Sequence, residues 1–187
     1  MIVDVLGSYR FEAKTGLATG IAAATATAGH VFSARHVQAE ATRAVRLRAL
    51  ELACVVLTAF DAAQEVGLDL FVARSYSVAH TGGGAVVPSK TNKNYAASVF
   101  APRIGSTGAL TAGTQTLDTD AILEDSFWAT AVGASLPWRR YDFTGADGGG
   151  LFLFGNEGLV ARNTILMGAS GVVRWSIAGV YDEVIVG

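Results

Sequence analysis

The chain is short of cysteine, of charge and of uninterrupted apolar runs, and each shortage excludes a class of protein. One cysteine, Cys54, in 187 residues cannot build an internal disulfide framework or a multi-cysteine metal centre. Charged residues make up 16% against 51% hydrophobic, which excludes intrinsic disorder, a state of low hydrophobicity and high charge. A formal charge of −2 and a pI near 5.9 argue against a nucleic-acid binder, whose footprint is basic. The most apolar early stretch, Leu17 to Phe32, is broken by Thr19, Gly20, Thr25, Thr27 and Gly29. No run approaches the ~18 apolar residues that span a bilayer. The opening MIVDVLGSYRFEAK has no basic region followed by an apolar core, so no secretory signal and no membrane contact are expected. Many apolar residues with few charges then point to a partner surface.

What is present is period-two alternation. In RAVRLRALELACVVLT, Arg43 to Thr58, Val45 and Leu47 alternate with Arg46 and Arg48, and Leu50 and Leu52 flank Glu51. Such alternation marks a half-buried strand, and the parity change between Leu47 and Leu50 places a bulge near Ala49. Gly67–His80 is a second long strand, with Leu68, Leu70 and Val72 on one face. Shorter ones are expected at Ile21–Ala24, Val31–Val37, Ser98–Ile104, Leu151–Phe154, Gly158–Leu166 and Gly171–Tyr181, the last two as a core hairpin around Gly168–Gly171. Asp61–Glu65 reads as a single helical turn with Asp61 as its N-cap. Alanine-rich Ala18–Ala28 reads as two short strands around a turn, because threonine and glycine interrupt it. Many short strands with Gly-rich turns predict an all-β fold. The expected form is a single antiparallel β-sandwich of jelly-roll type over residues 16–187. Residues 1–15 are expected to be an N-terminal arm.

Chemistry is sparse. His30 and His36 would share a face of one continuous strand, but no further ligand completes a metal site, so they and His80 read as surface or edge histidines. There is no G-x-S-x-G elbow, and Cys54 inside ALELACVVL reads as a core residue rather than a nucleophile. Gly82–Gly84 with Ser89-Lys90 misses the phosphate-loop spacing and reads as an exposed connection. Asp118 with Asp120, and Glu124 with Asp125, read as solvated acidic faces. Arg43, Arg46 and Arg48 form a stripe suited to carboxylates of a neighbour. Arg outnumbers Lys by a wide margin, as it does at interfaces. Of Trp128, Trp138 and Trp175, Trp138 in Leu136-Pro137-Trp138-Arg139-Arg140 is the one expected at the surface. No catalytic residue, cofactor or metal ligand is assigned.

Several segments together resemble virion structural proteins of tailed bacteriophages. They are Thr58–Gly67, Phe71–Ser75, the Gly82–Gly84 loop, Arg103-Ile104 through Ala109–Thr114, Thr116–Asp118, Asn156–Val160, Arg162–Thr164, Met167-Gly168 and Gly171–Arg174. The resemblance spans roughly residues 17 to 184 and departs near Phe127–Phe143. It implies a β-sandwich component of the virion, assembled in the host bacterial cytoplasm, with capsid decoration (a cement protein) as its role. The implied partners are the major capsid protein and other copies of the chain as a homotrimer. Interface candidates are Ile2, Val3, Val5 and Leu6, which have strand-like character but no evident partner, with Arg43, Arg46, Arg48 and Trp138. The competing expectation is a tail, fibre or baseplate module that binds a host-surface glycan through Trp138 and the 80–95 loop. An enzyme, such as a glycan hydrolase or esterase, would need an acid, base or nucleophile constellation that the sequence does not display.

Overall fold

Long stretches of alternating side chains can bury one face only as extended strands. The computed structural model, which describes residues 3–15, 29–38, 42–106, 108–111, 113–144, 149–168 and 170–187, contains no helix among those residues. In chain order the strands are β1 (Val3–Lys14), β2 (His30–His36), β3 (Arg43–Thr58), β4 (Gln64–Val78), β5 (Gly84–Ala85), β6 (Ser89–Lys90) and β7 (Phe100–Ile104). They continue with β8 (Thr114–Leu117), β9 (Leu123–Ala129), β10 (Ser135–Asp142), β11 (Leu151–Leu153), β12 (Gly158–Asn163) and β13 (Val172–Val186). Two antiparallel sheets result. One runs β10-β3-β13-β1-β6 with β11 also on β3; the other runs β5-β7-β2-β12-β4-β8 with β9 also on β4.

Eight of these strands define the topology. The first pairs with the last, β1 with β13, and then β2 with β12, β3 with β10, and β4 with β9. A long antiparallel hairpin rolled over two sheets in this order is a jelly roll. Pairing of β3 with β13 and of β4 with β12 joins the hairpin's turns into continuous sheets. Between β4 and β9 the described residues return to the edges of this framework: β5 and β7 extend the sheet beyond β2, β8 pairs with β4, and β6 lies on β1. One flank is thereby covered, while the other ends in the free edges of β9 and β10.

The core sits between the sheets, where Trp175, Val173 and Ile177 of β13 and Leu159 of β12 are fully buried. An aromatic seam crosses it. Phe11 of β1 stacks on Phe32 of β2 at 5.5 Å, and Phe100 of β7 meets Tyr181 of β13 edge-on at 5.1 Å. Gly179, cross-strand from Phe11, supplies the room, since a Cβ there would stand 2.4 Å from the ring. The expected bulge is present: the register of β3 against β13 skips Arg48, between Leu47 and Ala49.

Four expectations are corrected. Residues 3–14 are not an arm; they pair along β13 from Val3↔Val186 to Lys14↔Ser176, with Tyr9, Phe11 and Ala13 in the core. The segments 158–166 and 171–181 do not form a hairpin, because a roll places its seventh and eighth strands in opposite sheets. Leu166, past the end of β12, is exposed. Asp61 and Ala62 form a bend, and Gln64 and Glu65 already belong to β4, so there is no helical turn. His30 and His36 do not share a face, since a register shift at Val31 turns His30 to the outer side. The strands expected within 18–28, and Ile2, lie outside the described residues.

Candidate interaction surface

The arginine stripe is occupied from within the chain. Arg43 donates to Glu183 Oε2 at 2.7 Å, Arg46 donates to Asp182 Oδ2 at 2.6 Å, and Arg48 lies 3.7 Å from Asp182 Oδ1. Both acids come from β13, the strand beside β3, and both are buried. Ser8 donates to Asp182 at 2.6 Å, while the Ser98 hydroxyl (2.7 Å) and the Val99 N–H (2.6 Å) donate to Glu183 Oε1. Glu183 thus ties the β13 sheet to the approach to β7 in the other sheet. The expected acids of a neighbour are this chain's own. Sequence reading missed them because Asp182-Glu183 looks like the end of a strand.

Among the remaining interface candidates, Val3 contributes its backbone to β1, and Val5 and Leu6 are exposed at the start of that strand. Leu6 is the extra residue of a bulge between Val5↔Val184 and Gly7↔Glu183, and exposed Ile185 lies at the matching end of β13. Trp138 is exposed as expected, in a β10 segment where the register shifts between Leu136 and Arg139. Pro137 at that shift removes a backbone donor from the edge.

The free flank carries more apolar surface than the sequence disclosed. Trp128 near the end of β9 is 60% exposed, Val132 in the following turn 63%, and Trp138 52%. Trp175, by contrast, is core. Between the two edges Asp125 faces inward, against its reading as a solvated acid. It accepts from Arg139 at 2.7 Å and from the Tyr141 hydroxyl at 2.5 Å. Burial, and then the hydrogen bond to Asp125, push the Tyr141 hydroxyl above its ordinary range. An open groove of about 550 Å³ beside these residues is lined by Glu65, Asp69, Glu124, Ser126 and Arg139 among others. Asp69 stands directly cross-strand from Glu124. Desolvation, and then Glu124, raise its carboxyl, with Arg162 opposing. Asp118 is also engaged, accepting both arms of Arg74 at 3.0 Å.

The histidines are not ordinary surface residues. His36 and His80 are buried, and His30 meets His80 ring to ring, Nδ1 to Nε2, at 2.5 Å. His80 Nδ1 pairs with the Tyr76 hydroxyl. Burial, then His30 and Arg103, lower His80 to about 4, and burial with Arg162 lowers His30. A histidine depressed in the folded state favours its neutral form there. Its contribution is whole above the unfolded value near 6.5 and is lost as pH falls toward 4. For His80 that contribution is up to about 3 kcal/mol. Melting temperatures from pH 7 to 4.5 are therefore expected to fall more steeply for the native chain than for His80→Gln; parallel curves would refute the assignment. Cys54 is buried, and desolvation raises its thiol well above the ordinary range, which keeps it unreactive.

No family model matches this chain, nor does any curated protein sequence. Among solved structures it is similar to VP1 of Trichodysplasia spinulosa-associated polyomavirus, at 10% identity over 100% of this chain and 99% of that one, with a TM-score of 0.37. The same VP1 in complex with sialylated precision glycooligomers aligns at 11% identity over 98% and 100%, with a TM-score of 0.31. A structure of infectious bursal disease virus Gx strain aligns at 14% identity over 99% of this chain and 40% of that one, with a TM-score of 0.11. Likeness at this level carries no argument about role. The jelly roll rests on the strand pairing.

Proposed function

We propose that this chain is a non-enzymatic structural component of a bacteriophage virion, a capsid decoration protein that binds the major capsid shell as a homotrimer. The observation that carries the reading is three large apolar side chains, Trp128, Val132 and Trp138, exposed along one strand–turn–strand unit while Asp125, Arg139 and Arg140 of the same unit are engaged within the chain. Exposed aromatics with satisfied polar neighbours are what a partner surface requires, since interface energy concentrates in a few desolvated Trp, Tyr and Arg anchors. Burying the exposed parts of both tryptophans would contribute on the order of 5 kcal/mol per protomer. Three copies docking together would multiply that through avidity. Val5, Leu6 and Ile185 give a second apolar site for contact between copies.

The test is sedimentation, alone and with empty capsids. The isolated protein is expected to be a trimer at micromolar concentration and to co-sediment saturably with shells. Trp128→Ser with Trp138→Ser should keep the native melting curve and weaken shell binding by roughly 100-fold or more. A monomer that ignores shells, or a double variant that binds as the native chain does, would sink the reading.

The second reading is a tail or fibre module that binds a glycan. It is favoured by Trp128 lying cross-strand from Glu65, a wall of the acidic groove, which places a stacking ring beside carboxylates able to accept sugar hydroxyls. Retention on host-surface glycans, lost in Trp128→Ser, would support this reading over shell binding.

A further inference from the structure

We propose that a pocket on the outer face of β2 and β7, away from the tryptophan-bearing flank, binds a small oxyanion: inorganic phosphate or sulfate, or the acid group of a larger ligand.

Ser33 and Arg35 alternate along β2 with core-facing Phe32 and Ala34, so they point outward, and Arg103 on β7 stands cross-strand from Ser33. Tyr76 reaches them from β4, two strands away. It can do so because the intervening position on β12 is Gly158, where a Cβ would stand 2.9 Å from the Tyr76 ring and 2.1 Å from the Ala34 carbonyl. His80 closes the pocket from the loop after β4, held by the Tyr76 hydroxyl. The resulting cavity is about 110 Å³, with Ser33, Arg35, Tyr76, His80 and Arg103 in its lining. That is the volume of three to four waters at ~30 Å³ each, enough for a carboxylate, phosphate or sulfate group.

The charge in this pocket is uncompensated. Arg43, Arg46, Arg48, Arg74, Arg139 and Arg140 all have carboxylate partners. Arg35 and Arg103 have only neutral ones among the described residues, the Asn156 side-chain oxygen at 3.0 Å and the Gly82 carbonyl at 2.5 Å. Arg35 Nε is buried with no hydrogen-bond partner. Two guanidinium groups, with the Ser33 and Tyr76 hydroxyls between them, are a donor set for an oxyanion. The titratable and charged groups around it are His30 and Arg35 on β2, Tyr76 on β4, Arg103 on β7 and Arg162 on β12. Asp69 on β4 faces Arg162 from the neighbouring strand. Protonation of His80 or His30 adds charge, so binding tightens as pH falls, and a bound anion favours the protonated rings in return.

Sulfate is the probe, because it keeps its double charge from pH 5 to 8. It is titrated against chloride at constant ionic strength, with the histidine ring proton resonances as readout. Saturable binding is expected, about twofold or more tighter at pH 5 than at 7.5 by this linkage, since His80 titrates only near 4 in the free protein. Arg103→Gln should weaken it about tenfold or more while melting normally, and Arg35→Lys should weaken it less. Lys90→Gln, on the edge strand β6, should bind as the native chain does. Glucuronate against glucose separates the sources. Glucuronate binding that is lost in Arg103→Gln supports an acid group on a larger ligand, and sulfate binding alone supports a free inorganic anion. A response that is linear, flat with pH, or unchanged in Arg103→Gln marks a general salt effect and overturns the site. Neither result bears on shell binding.

Discussion

Deleting residues 1–15 is expected to leave no folded protein. These residues supply β1, which pairs with β13 from Val3 to Lys14 and closes the roll by joining its first strand to its last. Tyr9, Phe11, Ala13 and Thr15 are all buried, and the Thr15 hydroxyl accepts from the Trp175 N–H at 2.9 Å. Loss of a buried aromatic costs about 3–5 kcal/mol, and β1 carries two of them plus a full ladder. Total stabilities run about 5–15 kcal/mol, so the deletion removes most or all of the margin. It also bares the edge of β13, a template for aggregation. A detachable arm would predict the opposite, a soluble deletion that melts cooperatively and differs only in assembly. Expression with a thermal melt separates the two outcomes. Phe11→Ala is the graded version, and its melting point should drop by roughly 10 °C.

That contrast shows how far local pattern reaches. Tyr9, Phe11 and Ala13 alternate with Arg10, Glu12 and Lys14, so a strand is legible there. Its partner, however, lies at the other end of the chain, and periodicity says nothing about pairing across that distance. The same limit explains the false hairpin of 158–166 with 171–181, because neighbours in sequence belong to opposite sheets of a roll. Arg43 to Thr58 was legible to its bulge, since a change in apolar parity is a local signal. The polar sites were less so. Asp182 and Glu183 interrupt the alternation that ends at Tyr181, and only the arginine stripe on β3 signalled that buried acids were needed somewhere. Trp128 sits among Glu124, Asp125 and Ser126, so its segment reads as a polar connection. On an edge strand its outward position becomes an exposed ring instead. Tyr76 and His80 meet Ser33 and Arg103 only because Gly158 lets a ring cross β12, a contact that no spacing rule contains.

Glu183→Ala is the single substitution expected to cost most among the polar residues. The carboxylate is fully buried and accepts from Arg43, Ser98 and the Val99 N–H, while the Tyr181 hydroxyl pairs with that of Ser98 at 2.5 Å. Its removal strands a largely buried guanidinium and two further donors, for a loss of about 3–5 kcal/mol. Across a domain of this size that lowers the melting point by roughly 10 °C. Arg43→Met should be comparably harmful, because it leaves the carboxylate buried with only neutral donors. The double variant Arg43→Met with Glu183→Met removes both charges and refills the space. It should be more stable than either single variant, a non-additivity expected only of groups in contact. An additive double variant, or a Glu183→Ala loss under about 1 kcal/mol, would show that the pair does not couple the sheets. The cycle also decides what Arg43 is for. As a docking residue for a neighbour's acids, Arg43→Met would spare the melting curve and weaken shell binding. As half of an internal clamp it lowers the melting point and leaves shell affinity to Trp128 and Trp138.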